Sequence, residues 1–244
     1  MKIVVFNGSP RKEKSCTMRL TDAFLDGMRA HLDGAGAPCE IERVNIEDLH
    51  IIPCRGCLSC WGRTAGRCVI EGDDALGSMQ KILAADVVVG SFPLHFCGMP
   101  GPMKTWLDRL LPLVKTYLGG NLRDGEPLHG MRYDMSGKKL VLVSCCGYGE
   151  VDPMYDAVRA QFDGICGKGK YTPLFCAQGE TLRVSGDARM ISVRLSQMRE
   201  AGREFAATGS VSAATIETIA KPMFSQKTFR TLLTEYFEKG HSKA

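Results

Sequence analysis

The sequence is poor in several features that would each assign a function class. Its 31 basic and 27 acidic residues leave a formal charge of only +4, and the basic residues are scattered. Nothing therefore marks a face for nucleic acid or for an anionic membrane. Long apolar runs are absent too. The longest stretch free of Asp, Glu, Lys and Arg, Val87 to Met103, is broken by Gly90, Pro93, Gly98, Pro100, Gly101 and Pro102, which excludes a membrane span there. Residues 1–7 read as a strand and lack the basic-then-apolar layout of a secretory leader. No internal repeat and no low-complexity segment is found. The Gly-Lys-Ser/Thr ending of a Walker loop and the G-x-G-x-x-G fingerprint are both missing. Eleven cysteines, an odd number, do not form a disulfide framework, and a reducing cytoplasm is the expected location.

What is present is an alternation of short apolar runs with helical spacing. The 244 residues, 44% hydrophobic, suffice for one well-buried domain or a domain with an appendage. Strands are expected at Lys2–Phe6, Ile41–Ile46, Asp86–Ser91, Lys139–Ser144 and Tyr171–Phe175. Helices are expected at Cys16–Leu32, from Asp73-Asp74 to about Ala84, at Pro100–Leu118, Asp152–Ile165 and Asp187–Ala207. The strands are apolar on both faces, as in a parallel sheet buried between helices. The fold class is therefore α/β, a flavodoxin-like three-layer α/β/α arrangement with a five-stranded parallel sheet in the order 2-1-3-4-5. In that order the ligand lies outside the carboxyl ends of strands one, three and four. Residues 1–208 form the expected cofactor domain and residues 209–244 a helical extension, with helices near Ala213–Ala220 and Gln226–Glu238. The second is apolar enough (Phe229, Leu232, Leu233, Tyr236, Phe237) to cover its own domain or a second subunit.

Three loops follow the three relevant strands. In the first, Gly8-Ser9-Pro10-Arg11 and Ser15-Cys16-Thr17 lie between a strand and a helix. Unpaired N–H groups at a helix start attract phosphate, and Ser9, Arg11, Ser15, Cys16 and Thr17 are the candidate cradle. Lacking a dinucleotide fingerprint, it favours a mononucleotide. In the second, Pro93, Leu94, His95, Phe96, Cys97, Gly98 and Met99 carry no acidic or basic group apart from the histidine. Leu94, Phe96 and Met99 can form an apolar wall for an isoalloxazine ring; His95 either hydrogen-bonds that ring or is an ordinary loop histidine. In the third, Cys146, Gly147, Tyr148 and Gly149 would cross the ring, the glycines permitting close approach and Tyr148 stacking. Lys104 and Asp108, at i and i+4 on a helix, read as a structural pair. Flavin chemistry resides in the cofactor, so no catalytic side chain is assigned.

The fourth motif is Cys54, Cys57, Cys60 and Cys68 in the pattern C-x2-C-x2-C-x7-C. This compact spacing favours a 4Fe–4S cluster over zinc, which prefers separated cysteine pairs. An empty loop of reduced thiols and a Cys57–Cys60 redox disulfide are the alternatives.

Gly8-Ser9-Pro10-Arg11, the Pro53–Trp61 cysteine segment, Gly66-Arg67-Cys68-Val69-Ile70 with Asp73-Asp74, and Pro93-Leu94-His95-Phe96 through Lys104 to Asp108-Arg109 together resemble the NADPH-dependent FMN reductase family, and within it the iron–sulfur flavoproteins. The resemblance spans roughly residues 2–205. It implies non-covalent FMN, a flavodoxin-like fold, a homodimer or homotetramer, and NAD(P)H as co-substrate. The chain departs from the family pattern at Ser15 and Cys16, at His95 where an aromatic is common, and at Cys97 where glycine is. The resulting expectation is an FMN-dependent oxidoreductase that moves electrons from NAD(P)H or a redox protein to a small acceptor. An electron carrier without a small-molecule substrate and a non-redox module with structural zinc are the other readings.

Overall fold

The computed structural model describes residues 1–117, 124–184 and 188–238. Five parallel strands form the central sheet: β1 (Lys2–Asn7), β2 (Glu40–Asn45), β3 (Val87–Pro93), β6 (Lys139–Cys145) and β7 (Thr172–Cys176). Between β3 and β6 lie β4 (Val114–Tyr117) and β5 (His129–Met131), a separate antiparallel pair. The sheet order is β2-β1-β3-β6-β7, with every neighbouring pair parallel. Counting only sheet strands, this is the expected 2-1-3-4-5, the flavodoxin-like order.

Two apolar layers sandwich the sheet. Alternate residues of one strand point to opposite faces, so Ile3 and Val5 enter one layer while Val4 and Phe6 enter the other. The first layer is closed by α1 (Cys16–Gly34) and α6 (Ala188–Thr208), through Leu20, Phe24, Met28, Met198 and Phe205. These helices cross where Gly27 and Gly202 leave no room for a side chain. The second layer is closed by α2 (Ala75–Ala84), α3 (Gly101–Asp108) and α4 (Asp156–Cys166). Trp106 lies 4.4 Å from Phe6 between ring centroids, and Tyr155 stacks on Phe175 at 4.2 Å.

The helix expected at Pro100–Leu118 is much shorter. Pro100 is its N-cap, α3 ends at Asp108, and a 3-10 turn at Leu111–Leu113 leads into β4; Leu118 lies outside the described residues. Pro112 supplies no N–H and biases the preceding residue away from helix, so the periodic pattern cannot continue through it. Helix α4 begins at Asp156 rather than Asp152, after a turn in which the Asp156 N–H donates to the Pro153 carbonyl at 3.0 Å. The expected start of α6 at Asp187 lies outside the described residues.

Past α6, α7 (Ala213–Ala220) packs against β7 and α6, and α8 (Gln226–Glu238) against α5 (Thr181–Val184). Buried Arg194 of α6 donates to the carbonyls of Ile219 and Lys221, satisfying the end of α7. Arg183 lies over the Tyr236 ring at 5.1 Å.

Candidate functional site

The carboxyl ends of β1, β3 and β6 stand side by side, and the loops leaving them are tied together. The Gly8 N–H donates to the Ser91 carbonyl at 2.8 Å, and the Leu94 N–H to the Cys145 carbonyl at 2.9 Å. Thr17 Oγ1 is 3.1 Å from Cys145 Sγ, and Cys97 Sγ is 3.9 Å from the Tyr148 hydroxyl. The three loops singled out in the sequence thus lie side by side.

In the first loop, buried Asn7 accepts from the Ser9 N–H at 3.0 Å and donates to Asn45, fixing the turn out of β1. A Cβ on Gly8 would overlap Met103 Sδ and lie 2.9 Å from Met103 Cβ, so only glycine fits. A 3-10 turn at Lys12–Lys14 follows, and Ser15 caps α1 by accepting from the Met18 N–H at 2.9 Å. The first N–H groups of α1, including Cys16 and Thr17, have no carbonyl within the helix to pair with. Ser9, Ser15 and Thr17 are buried around them, and exposed Arg11 stands at the rim. Buried hydroxyls and free amides at a helix start are the donor set that a phosphate takes.

In the second loop, His95 and Gly98 exchange backbone hydrogen bonds of 2.9 and 3.0 Å across a tight turn. Phe96 and Cys97, at its tip, have φ of 49° and 64°, a region non-glycine residues seldom occupy. Phe96 is fully exposed, His95 and Cys97 are exposed, Gly98, Met99 and Pro93 are half-buried, and Leu94 is buried in the second apolar layer. In the third loop, Cys146 is buried and its carbonyl accepts from the Gly179 N–H at 2.7 Å. Gly147 and Tyr148 face solvent and Gly149 is half-buried.

Gln178 was not readable from the sequence. Fully buried with φ of 58°, it donates its N–H to the Tyr148 carbonyl at 2.9 Å. Its side-chain amide then pairs with the Phe224 carbonyl and N–H, both at 2.8 Å. The segment before α8 is thereby joined to the Tyr148 loop. A Cβ on Gly149 would overlap the Gln226 amide, so α8 also lies against that loop. Contacts over such sequence distances leave no local signal.

The cysteine segment lies beside the β4–β5 pair. Trp61 packs on His129 at 4.9 Å, and Arg132 donates to the Pro112 and Cys60 carbonyls. Cys60 is buried, Cys68 half-buried, and Cys54 and Cys57 are exposed. Burial raises the Cys60 thiol, and neighbouring Cys68, Cys54 and Cys57 add to the effect. Hydrogen bonds from Ser59 draw the Cys57 thiol below its usual range. Among the described residues no three His, Cys, Asp or Glu side chains converge closely enough to hold a metal ion. Four thiols in one segment are the ligand type that an iron–sulfur cluster takes, but in this structure they are not gathered around one point. Within the segment Gly56 and Leu58 hold positive φ, 65° and 55°. Lys104 and Asp108 form the expected surface pair at 2.6 Å.

Comparison with known proteins gives three findings. The sequence profile of NADPH-dependent FMN reductases matches residues 1–149. An iron-sulfur flavoprotein of Methanocaldococcus jannaschii is 29% identical over 135 residues, 53% of this chain and 65% of that one. One of Archaeoglobus fulgidus is 32% identical over 112 residues, 46% of each chain. The match thus spans less than two thirds of either relative. Among solved structures, an NAD(P)H:quinone oxidoreductase from Methanothermobacter marburgensis aligns with a TM-score of 0.59 at 18% identity. It covers 84% of this chain and 98% of that one, a likeness of fold.

Proposed function

The chain belongs to the NADPH-dependent FMN reductase family, and from that premise we propose that it is an FMN-dependent oxidoreductase. It takes electrons from NAD(P)H or a protein donor and delivers them to a small acceptor. The observation that carries this reading is the convergence of three loops on the start of α1, whose buried hydroxyls and unpaired amides suit a phosphate.

The α1 amides with Ser9, Ser15 and Thr17 bind the FMN phosphate, and Arg11 adds charge at the rim. Pro93–Met99 and Cys146–Gly149 border the ring, and Tyr148 supplies an aromatic face beside it. Bound FMN supplies the acceptance and release of hydride or single electrons; the protein orients it and keeps water from one face. No side chain is assigned a proton-transfer role. Cys54, Cys57, Cys60 and Cys68 would hold a 4Fe–4S cluster, a reading that rests on their spacing; the relatives' names say only that those proteins are iron-sulfur flavoproteins. Residues 1–208 are the FMN-binding unit and residues 209–244 a helical extension, and a cytoplasmic homo-oligomer is the working form.

The test is the visible spectrum of protein purified without oxygen, with iron and acid-labile sulfide assayed on the same sample. Flavin bands and NAD(P)H oxidation with quinone, flavin or ferricyanide support the enzyme. A flavoprotein reduced only by a ferredoxin-type donor would be an electron carrier instead. A colourless protein that refuses added FMN overturns the proposal, and flavin without iron overturns the cluster alone.

A further inference from the structure

One buried ion pair holds both ends of the cysteine segment. Arg109, just past α3, pairs with Asp73, just before α2; their side chains are 1% and 2% exposed. The Arg109 guanidinium also donates to the Ile52 carbonyl at 2.5 Å and the Ile70 carbonyl at 3.4 Å. Asp73 in turn accepts from the Ile52 N–H at 3.0 Å and the Ala75 N–H at 3.2 Å, and Asp74 from the His50 N–H at 2.8 Å. Ile52 and Ile70 flank residues 53–69, which contain all four cysteines of the motif.

A buried ion pair is costly to desolvate and seldom adds stability over apolar packing. This one gives much of its hydrogen-bonding capacity to the backbone at the two ends of a loop. It therefore acts as a neck, removing freedom that a loop without secondary structure would otherwise keep. One donor is left over: Arg109 Nε is buried and has no partner among the described residues. A cavity of about 200 Å³ opens there, lined by Cys68, Ile70, Asp73, Met79, Arg109 and Pro112 among others.

We propose that Arg109 is the positioning residue of the cysteine segment: paired with Asp73 it closes residues 53–69 at the neck, with or without iron. Lysine keeps the charge, but a single ammonium cannot bridge Asp73, Ile52 and Ile70 as the planar guanidinium does.

The experiment uses the full-length FMN-loaded protein and the Arg109→Lys and Asp73→Asn variants. Iron is first removed by chelation, and alkylation of each cysteine by iodoacetamide is followed by mass spectrometry. In both variants Cys60 is expected to react about tenfold faster or more than in the wild type, while buried Cys176 stays protected. Unchanged Cys60 reactivity in both overturns the neck. Should Cys176 of Arg109→Lys also become reactive, that variant has unfolded globally and Asp73→Asn decides by the same criterion.

Discussion

Replacing Gly202 by alanine sets two effects of opposite sign against each other. Alanine is the better helix former, by about 1 kcal/mol in a helix interior. Gly202, however, lies where α6 crosses α1. A Cβ there would overlap the Phe24 carbonyl oxygen outright and stand 2.9 Å from the Met28 nitrogen. Backbone atoms cannot rotate aside. Restoring even the 2.9 Å approach to the 3.4 Å of ordinary contact separates the helices by 0.5 Å, and clearing the oxygen takes more. A radial gap of about 0.5–1 Å already forfeits a quarter to a half of a dispersion contact. The loss falls on a layer that includes Met198, Ala201 and Phe205, the last edge-on to Phe24 at 5.6 Å. Overpacking of this kind costs about 1–3 kcal/mol, sometimes more. With backbone as the obstacle the upper end applies, leaving a net loss of about 2 kcal/mol after the propensity gain. For a domain of this size that lowers Tm by about 4–8 °C. Thermal unfolding followed by far-UV circular dichroism measures it. A Tm equal to or above the wild type would show that the helices part freely, and would refute the crossing argument. Because α1 also carries the proposed phosphate loop, FMN affinity is expected to fall in the same variant.

Two further outcomes follow from buried groups. Gln178→Ala removes both side-chain hydrogen bonds to Phe224, at a cost of about 1–3 kcal/mol; hydrogen exchange in residues 221–238 should accelerate, and unchanged protection there would show that the amide does not hold the segment. Burial pushes the Cys166 and Cys176 thiols from 9.0 up to about 11. The unfolded chain then releases these protons first, so the stability these two thiols contribute is constant below about pH 9 and is lost as pH rises from 9 to 11. Denaturant midpoints across that window should drop less steeply in Cys176→Ala than in the wild type.

The expected and observed elements agree where a local pattern has a local cause. Lys2–Phe6 and Asp86–Ser91 are apolar on both faces because both faces are buried, and Ala213–Ala220 and Gln226–Glu238 occur with the bounds their spacing gives. The strand, turn and capped helix of the β1–α1 connection were legible because they are consecutive in the chain; phosphate binding there is a proposal. The helix past Asp108 was misread because periodicity outweighed the breaker at Pro112.

The sequence by itself determined the doubly wound sheet, the loops that meet at one edge of it and the presence of a four-thiol segment. Each rests on residue type and spacing along a few neighbouring turns of chain. Only the tertiary structure decided that Gln178 joins the α8 segment to the Tyr148 loop, that Gly27 and Gly202 share one crossing, and that Arg109 reaches Asp73 to close the cysteine segment. Those contacts join residues far apart in the chain. Hydrogen bonding and excluded volume act across space, and no local pattern records which distant partner the folded chain will supply.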